Sequence, residues 1–267
     1  MPQAIEQLEE SRPVFASLRQ TQAFVVRQLA EQLELAPALA DAAAGPGVPL
    51  EVASPDGGAA VALQAFSGPG LRWLSASALA SPSLGFGGAI TAGFAEGCSD
   101  VPHFRLDHKL LGDQVLLVLA LFPRRDWFLD EFYLQLYYGS TPPGSQRSYN
   151  DVYNSALQRP GWKLYQTAAL AVKPLLSSAM AFTYEPSEDN LLAARETVLE
   201  VAQLWGNLVK QQRQGGGGDS QRQADDTVRQ YDARYVKAVA ENPAWVALFG
   251  QEATDKLAAA THGGAAP

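Results

Sequence analysis

Four polar side chains recur at alternate positions in one short segment, Pro102 to Lys109. Strand side chains alternate between faces, so an extended segment puts His103, Arg105, Asp107 and Lys109 on one side. Phe104, Leu106, His108 and Leu110 then share the other. A carboxyl group between two cations suits proton and hydrogen-bond chemistry. Ionised, it accepts from N–H groups; protonated, it donates. Burial would raise the Asp107 pKa, whereas Arg105 and Lys109 would lower it, so the net sign stays open at this level. The bland alternative is a solvated face of an edge strand, and composition alone favours it. His103 is either a second proton relay or a structural histidine at a strand start. His108 is expected to pack into the opposite layer.

Little else in the chain can do chemistry. The 267 residues hold one cysteine, Cys98, and three histidines, His103, His108 and His262. A lone cysteine excludes an internal disulfide and the multi-cysteine zinc and iron–sulfur signatures. His262 is expected in a frayed C-terminal tail. No P-loop, H-E-x-x-H helix or G-x-S-x-G elbow occurs. Gly85-Phe86-Gly87-Gly88 begins like a dinucleotide fingerprint but lacks its last glycine and its preceding strand, so it reads as a turn. The formal charge of −8 argues against nucleic-acid binding, which needs a positive footprint. No window reaches the roughly 18 apolar residues of a membrane span. The acidic Met1 to Glu10 is neither a secretory signal nor a transit peptide.

The elements that must position this segment follow from periodicity. With 47% apolar and 18% charged residues the chain can build a large core. Val14 to about Leu35 has a helical stripe. Ala36 to Pro49 reads as a loop. Short runs then alternate with turn signals: Ala59 to Phe66, Leu71 to Ala78, Ala89 to Phe94, His103 to Leu110 and Gln114 to Phe122. Tight turns between consecutive strands imply antiparallel pairing. Val115 to Phe122 is apolar without alternation, which predicts a strand buried on both faces. Helices must cover both sides: Glu131 to Tyr138 with Asp130 as N-cap, Ser187 to about Gln214, a polar helix from Asp219 to about Glu241 halted by Asn242-Pro243, and a short Gln251 to Ala260. Tyr165 to Tyr184 returns as one or two strands around Lys173-Pro174. The expected architecture is α+β: one domain over 1–267, an α–β–α sandwich around a mostly antiparallel sheet. Residues 1–13 and 261–267 are expected as flexible ends and 214–221 as a flexible Gly-rich loop.

Several blocks, in order, resemble one family. Pro102-His103-Phe104, the acidic Asp107, the apolar strand, Pro123-Arg124-Arg125-Asp126, Tyr133-Leu134, Tyr137-Tyr138 and Gln146-Arg147 are similar to red chlorophyll catabolite reductases. These belong to the ferredoxin-dependent bilin reductase superfamily. Val172 to Met180 resembles the family's basic-plus-serine strand. Glu241-Asn242-Pro243-Ala244 through Leu248-Phe249-Gly250 resembles its Asp-Pro-Ala…Phe-Gly ending.

The resemblance implies an enzyme that reduces an open-chain tetrapyrrole. Reduced ferredoxin would supply electrons singly, with no bound cofactor or metal, and protein groups would supply protons. Asp107 falls at the family's strand carboxylate, as proton donor or as the group that bonds the pyrrole nitrogens; His103 is the second catalytic candidate. Arg105, Lys109 and Lys173 are candidates for the substrate's propionates, and Ser177 and Asn242 for its polar edge. Arg124-Arg125 either docks acidic ferredoxin or pairs with Asp126 in a loop. The same resemblance implies a plastid stroma address and leaves room for a homodimer. Two positions depart from the family. Asn242 stands where the superfamily has Asp, and Asn delivers no proton, although Glu241 adjoins it. Ala120 stands where an Asp is usual. These losses motivate a second possibility, a tetrapyrrole-binding or carrier protein on the same scaffold.

Overall fold

The computed structural model describes residues 3–38, 40, 47–96, 99–125, 129–142, 145–167, 173, 177–214 and 243–263. The chain opens with α1 (Gln3–Ser11) and α2 (Pro13–Leu33), followed by β1 (Ala36–Pro37), β2 (Leu50–Ala53), β3 (Ala60–Gly68) and β4 (Leu71–Ser81). A 3-10 turn over Pro82–Leu84 leads into β5 (Phe86–Ala95), β6 (His103–Leu111) and β7 (Gln114–Phe122). Then come α3 (Glu131–Tyr138), α4 (Tyr149–Leu157), β8 (Lys163–Leu164), β9 (Ala179–Tyr184) and α5 (Glu188–Gln214). The last described elements are α6 (Pro243–Phe249) and α7 (Gln251–His262).

Among the described residues nine strands form one sheet, in the order β1-β3-β4-β5-β6-β7-β9-β8, with β2 also on β3. Every pairing is antiparallel. This is the expected architecture, with helices on both faces. β7 is buried on both sides: Leu116 and Val118 face one layer, Leu117, Leu119 and Leu121 the other. One face packs against α1 to α5, through Phe15, Leu18 and Leu29 of α2 and Val198, Val201 and Trp205 of α5. The other face carries α6 and α7, whose Phe249, Leu257 and Ala260 cover Val61, Leu63 and Leu79. Burying each large apolar side chain contributes about 1.5–3 kcal/mol, so these two seams hold the layers together.

Of the glycine-rich segment only Gly85 lies in the expected turn; Phe86, Gly87 and Gly88 open strand β5. Gly85 ends the 3-10 turn at φ +58°, in the left-handed region. Gly87 is small for a packing reason: a Cβ there would sit 2.5 Å from Phe15 and 2.7 Å from Leu8. α1 and α2 thus lie directly on the strand, and no nucleotide is needed to explain the glycines.

Four expectations about elements are corrected. Residues 3–11 are helical rather than a flexible end, because Ala4, Ile5 and Leu8 form a short buried stripe. Thr261 and His262 belong to α7 rather than a frayed tail; Gly263, at φ +82°, caps that helix. Pro243 opens a helix instead of only closing one, since its missing N–H and fixed φ suit a first helical position. α4 lay in no expected element, yet Ser148 and Asp151 form its capping box. The expected helix over Asp219 to Glu241, residues 215–221 of the Gly-rich loop, and Cys98 lie outside the described residues.

Candidate active site

β6 lies between β5 and β7, near the middle of the sheet. It is no edge strand, so the bland alternative for its polar row does not hold. Residues directly opposite in neighbouring strands share a face, and Asp107 pairs with Ile90 and Val118. Ile90 pairs with Ser77, and Ser77 with Leu63, which touches the α7 layer. His103, Arg105, Asp107 and Lys109 therefore form one row on the α7 side. Phe104, Leu106 and Leu110 join the opposite core. His108 does too: a 2.6 Å hydrogen bond links its Nε2 to the Tyr184 hydroxyl, and burial pushes its pKa down to about 3.

The row is a compact ion triad. Arg105 Nε lies 2.7 Å from Asp107 Oδ1, and Lys109 Nζ lies 2.9 Å from Oδ2. The side chains are 11%, 13% and 26% exposed for Arg105, Asp107 and Lys109, so the charges are largely desolvated. Burial pushes the Asp107 pKa up, but Arg105 and Lys109 more than offset it and hold the carboxyl at about 2. The sign left open by the sequence is thus settled: Asp107 is ionised here and acts as an acceptor.

His103 stands two same-face positions from Asp107, about 13 Å along the strand, with Arg105 between. It does not contact Asp107. The Ala95 N–H donates to its Nδ1 at 3.3 Å, which leaves the proton of the neutral ring on Nε2. Burial, with Arg124, Arg72 and His262 nearby, holds its pKa well below the usual histidine value.

A second histidine joins this end of the row. His262 and His103 each pack on Phe94 with ring centroids 5.2 Å apart, and the Arg72 guanidinium lies 5.4 Å from the same ring. His262 Nδ1–H donates to the Ala258 carbonyl at 2.8 Å, so its Nε2 bears the lone pair. Burial lowers its pKa to about 4. The sheet pins the helix end that carries it: Trp73 Nε1 donates to the Ala260 carbonyl and Ser75 Oγ to that of Thr261, both at 2.9 Å. Sequence reasoning missed His262 and Arg72 as neighbours of the row. The available signal was Gly263, a helix stop placed just after a histidine in the last turn.

The remaining candidates are not brought to the triad. Lys173 and Ser177 are exposed, and Asn242 lies outside the described residues. Ser177 sits in a turn two residues before Ala179, the β9 residue that pairs with Ala120, so it precedes the strand instead of lying on it. Its neighbour Ser178 donates to the Leu121 carbonyl at 3.1 Å. Ala120 lies beside Arg105 on the triad face, where an added carboxylate would have adjoined the row.

Arg124-Arg125 offers no docking patch of the expected kind. Arg124 is buried and donates to the Glu96 carbonyl at 2.7 Å. Arg125 binds both Asp100 oxygens at 2.9 and 2.6 Å and reaches Asp130 at 3.3 Å. Its partners are thus Asp100 and Asp130, while Asp126 is outside the described residues. Tyr133 and Tyr137 are core, whereas Phe132 is 77% exposed.

A cavity of about 420 Å³ opens on the opposite face of the sheet, between α2 and β2–β4, lined by Arg19, Gln22, Glu51, Gln64 and Phe66. The sheet separates it from the triad. Among the described residues no cluster of three or more His, Cys, Asp or Glu could hold a metal, and no helix is long and apolar enough to cross a membrane.

The chain superposes on the crystal structure of phytochromobilin synthase from tomato in complex with biliverdin. The TM-score is 0.68 over 91% of this chain and 81% of that one, at 17% sequence identity. The two share a fold. No family model matches the sequence, and the search of curated proteins gives no match.

Proposed function

We propose that the protein reduces an open-chain tetrapyrrole on the α7 side of β6, with electrons arriving singly from ferredoxin. The observation that carries this is a desolvated Arg105–Asp107–Lys109 row in the central strands of a sheet that shares its fold with a biliverdin-bound phytochromobilin synthase. Asp107 suits the pyrrole edge, accepting from N–H groups or, once protonated, donating, and the two cations suit the substrate's propionates. The sequence blocks favour the red chlorophyll catabolite branch within that class, and a plastid stroma address goes with it. Arg124 and Arg125 make internal contacts, and the docking of ferredoxin is therefore not placed on them.

Anaerobic mixing with photoreduced ferredoxin tests the proposal. Biliverdin or red chlorophyll catabolite should bleach at its long-wavelength band, and Asp107→Asn should lower turnover more than affinity. No bleaching under conditions where an authentic bilin reductase works would refute the reductase reading.

A carrier is the second reading, and Ala120 favours it: the triad face lacks the additional acid expected there. Stable bilin binding without ferredoxin-driven consumption would select it.

A further inference from the structure

Both cations proposed for the substrate's carboxylates are already engaged. Arg105 and Lys109 each hold one oxygen of Asp107, so a second carboxylate at either cation competes with Asp107 for its charge and weakens that hold. We propose that the carboxylates of a bound bilin draw Arg105 and Lys109 away from Asp107, and that the released carboxyl then takes a proton from solvent. Arg105 and Lys109 thereby become positioning residues that ready Asp107 to donate only when a diacid substrate is in place. This inference rests on the tetrapyrrole reading above and names the feature of the substrate that the site senses.

The exchange is chemically conservative for the cations, since each trades one carboxylate for another. It is not conservative for Asp107, which is 9% exposed. A desolvated carboxylate without a cation avoids a large penalty by protonating. What faces Asp107 leaves no substitute cation among the described residues. Ile90 and Gly88 of β5 and Val118 and Leu116 of β7 are apolar neighbours on the same face. Tyr165 packs on the β7 side of this face, against Leu116, Val118 and Ala181, and is no cation; the other nearby ionisable groups are His103 on the same strand, His262 of α7, Arg72 of β4 and Arg124. They cluster around Phe94 and His103, at the Arg105 end of the row. Burial holds both histidines neutral, so neither replaces a lost cation. The step balances simply: the carboxylate plus one solvent proton gives the acid, with no change of oxidation state. The same Asp107 then fits both roles that a reductase asks of it, acceptor before binding and donor afterwards.

Two measurements test this. The first is calorimetry of ligand binding in buffers of different ionisation enthalpy. Biliverdin should bind with uptake of about one proton. Biliverdin dimethyl ester, which lacks the carboxylates, should bind with almost none, and uptake should vanish in Asp107→Asn. Binding of biliverdin without uptake, or with uptake that survives Asp107→Asn, overturns the inference and leaves the tetrapyrrole reading standing. Failure of both ligands to bind overturns that reading and this inference with it. The second measurement needs no ligand. Infrared difference spectra of Arg105→Gln/Lys109→Gln should show a protonated carboxyl stretch in mildly acidic buffer. The band should be missing in the wild type and removed by adding Asp107→Asn. Absence of the band in the double variant overturns the release step.

Discussion

Lowering the pH from about 7 to about 5 should strip several kcal/mol from the folding stability, because all three histidines are buried in neutral form. His103, His108 and His262 are 3%, 1% and 2% exposed. Burial lowers His108 to about 3 and His262 to about 4, and pushes His103 well down. In the unfolded chain each imidazole protonates near its ordinary value of about 6.5. Between that value and the folded one, the unfolded state binds more protons, so stability falls as pH falls. Each group contributes about 1.36 kcal/mol per pH unit in this window, or about 2 kcal/mol by pH 5. The folded values of His108 and His262 lie below 5, so their loss is governed by the unfolded value, and His103 is pushed in the same direction. His108 and His262 together give about 4 kcal/mol and His103 adds to it, a large part of the whole stability of many domains. Asp107, held at about 2, adds its own loss only below about 4, outside the window. Urea unfolding at several pH values measures the slope, which should approach three protons per molecule. His108→Gln should lower stability at neutral pH, through the orphaned Tyr184 hydroxyl, yet reduce the slope by one proton. A slope of one proton or less in the wild type would refute the claim that these rings are held neutral by burial.

Gly93→Ala would place a Cβ 2.5 Å from Trp205, which is fully buried and donates through Nε1 to the Pro102 carbonyl at 2.7 Å. Thermal denaturation should show a loss of about 1–3 kcal/mol; an unchanged midpoint would mean that the indole has room to move. Ser148→Ala removes the side-chain half of the α4 capping box, leaves the backbone N–H at that position on Asp151, and should cost about 1 kcal/mol, read from the same melts.

How much of this was legible in the sequence follows from where the information is local. β3 to β7 carry strand-length apolar runs, and glycine-bearing turns separate β3 from β4, β4 from β5 and β6 from β7, so their existence and antiparallel pairing could be read directly. Strict alternation placed Asp107 beside Arg105 and Lys109 and sent His108 to the other layer, as the registers show. Asp130 as the α3 cap was equally local, and its side chain accepts from the Tyr133 N–H. The misses depend on distant partners. α1 has only three buried residues, a stripe too short to stand out until Gly87 and the strand beneath it are present. The capping pair Ser148 and Asp151 marked α4, but no long apolar period followed it. His262 reaches Phe94 only because Trp73 and Ser75 of a distant strand bind the last carbonyls of α7. The net charge on Asp107 depends on two distances against its burial, and no pattern of letters encodes that balance.

The ion triad also bears on why the function is proposed for this face and not for the cavity between α2 and β2–β4. Taking ions out of water costs several kcal/mol each, and a buried ion pair replaced by well-packed apolar residues is often neutral or more stable. The sheet accepts such residues here. Ile90, Ala92, Val118 and Ala120 surround the triad on its own face, and the opposite row of the same strand is Phe104, Leu106 and Leu110. Stability therefore gives little reason to keep Arg105, Asp107 and Lys109 at this depth. The cavity between α2 and β2–β4 makes no comparable demand: its floor is built from Ala62, Ala76 and Ala78, with charged side chains at the sides. A costly arrangement of charge is most readily understood where another charge must read it. The proposed exchange supplies that reader, because a diacid substrate would take over the cations and leave Asp107 to change state.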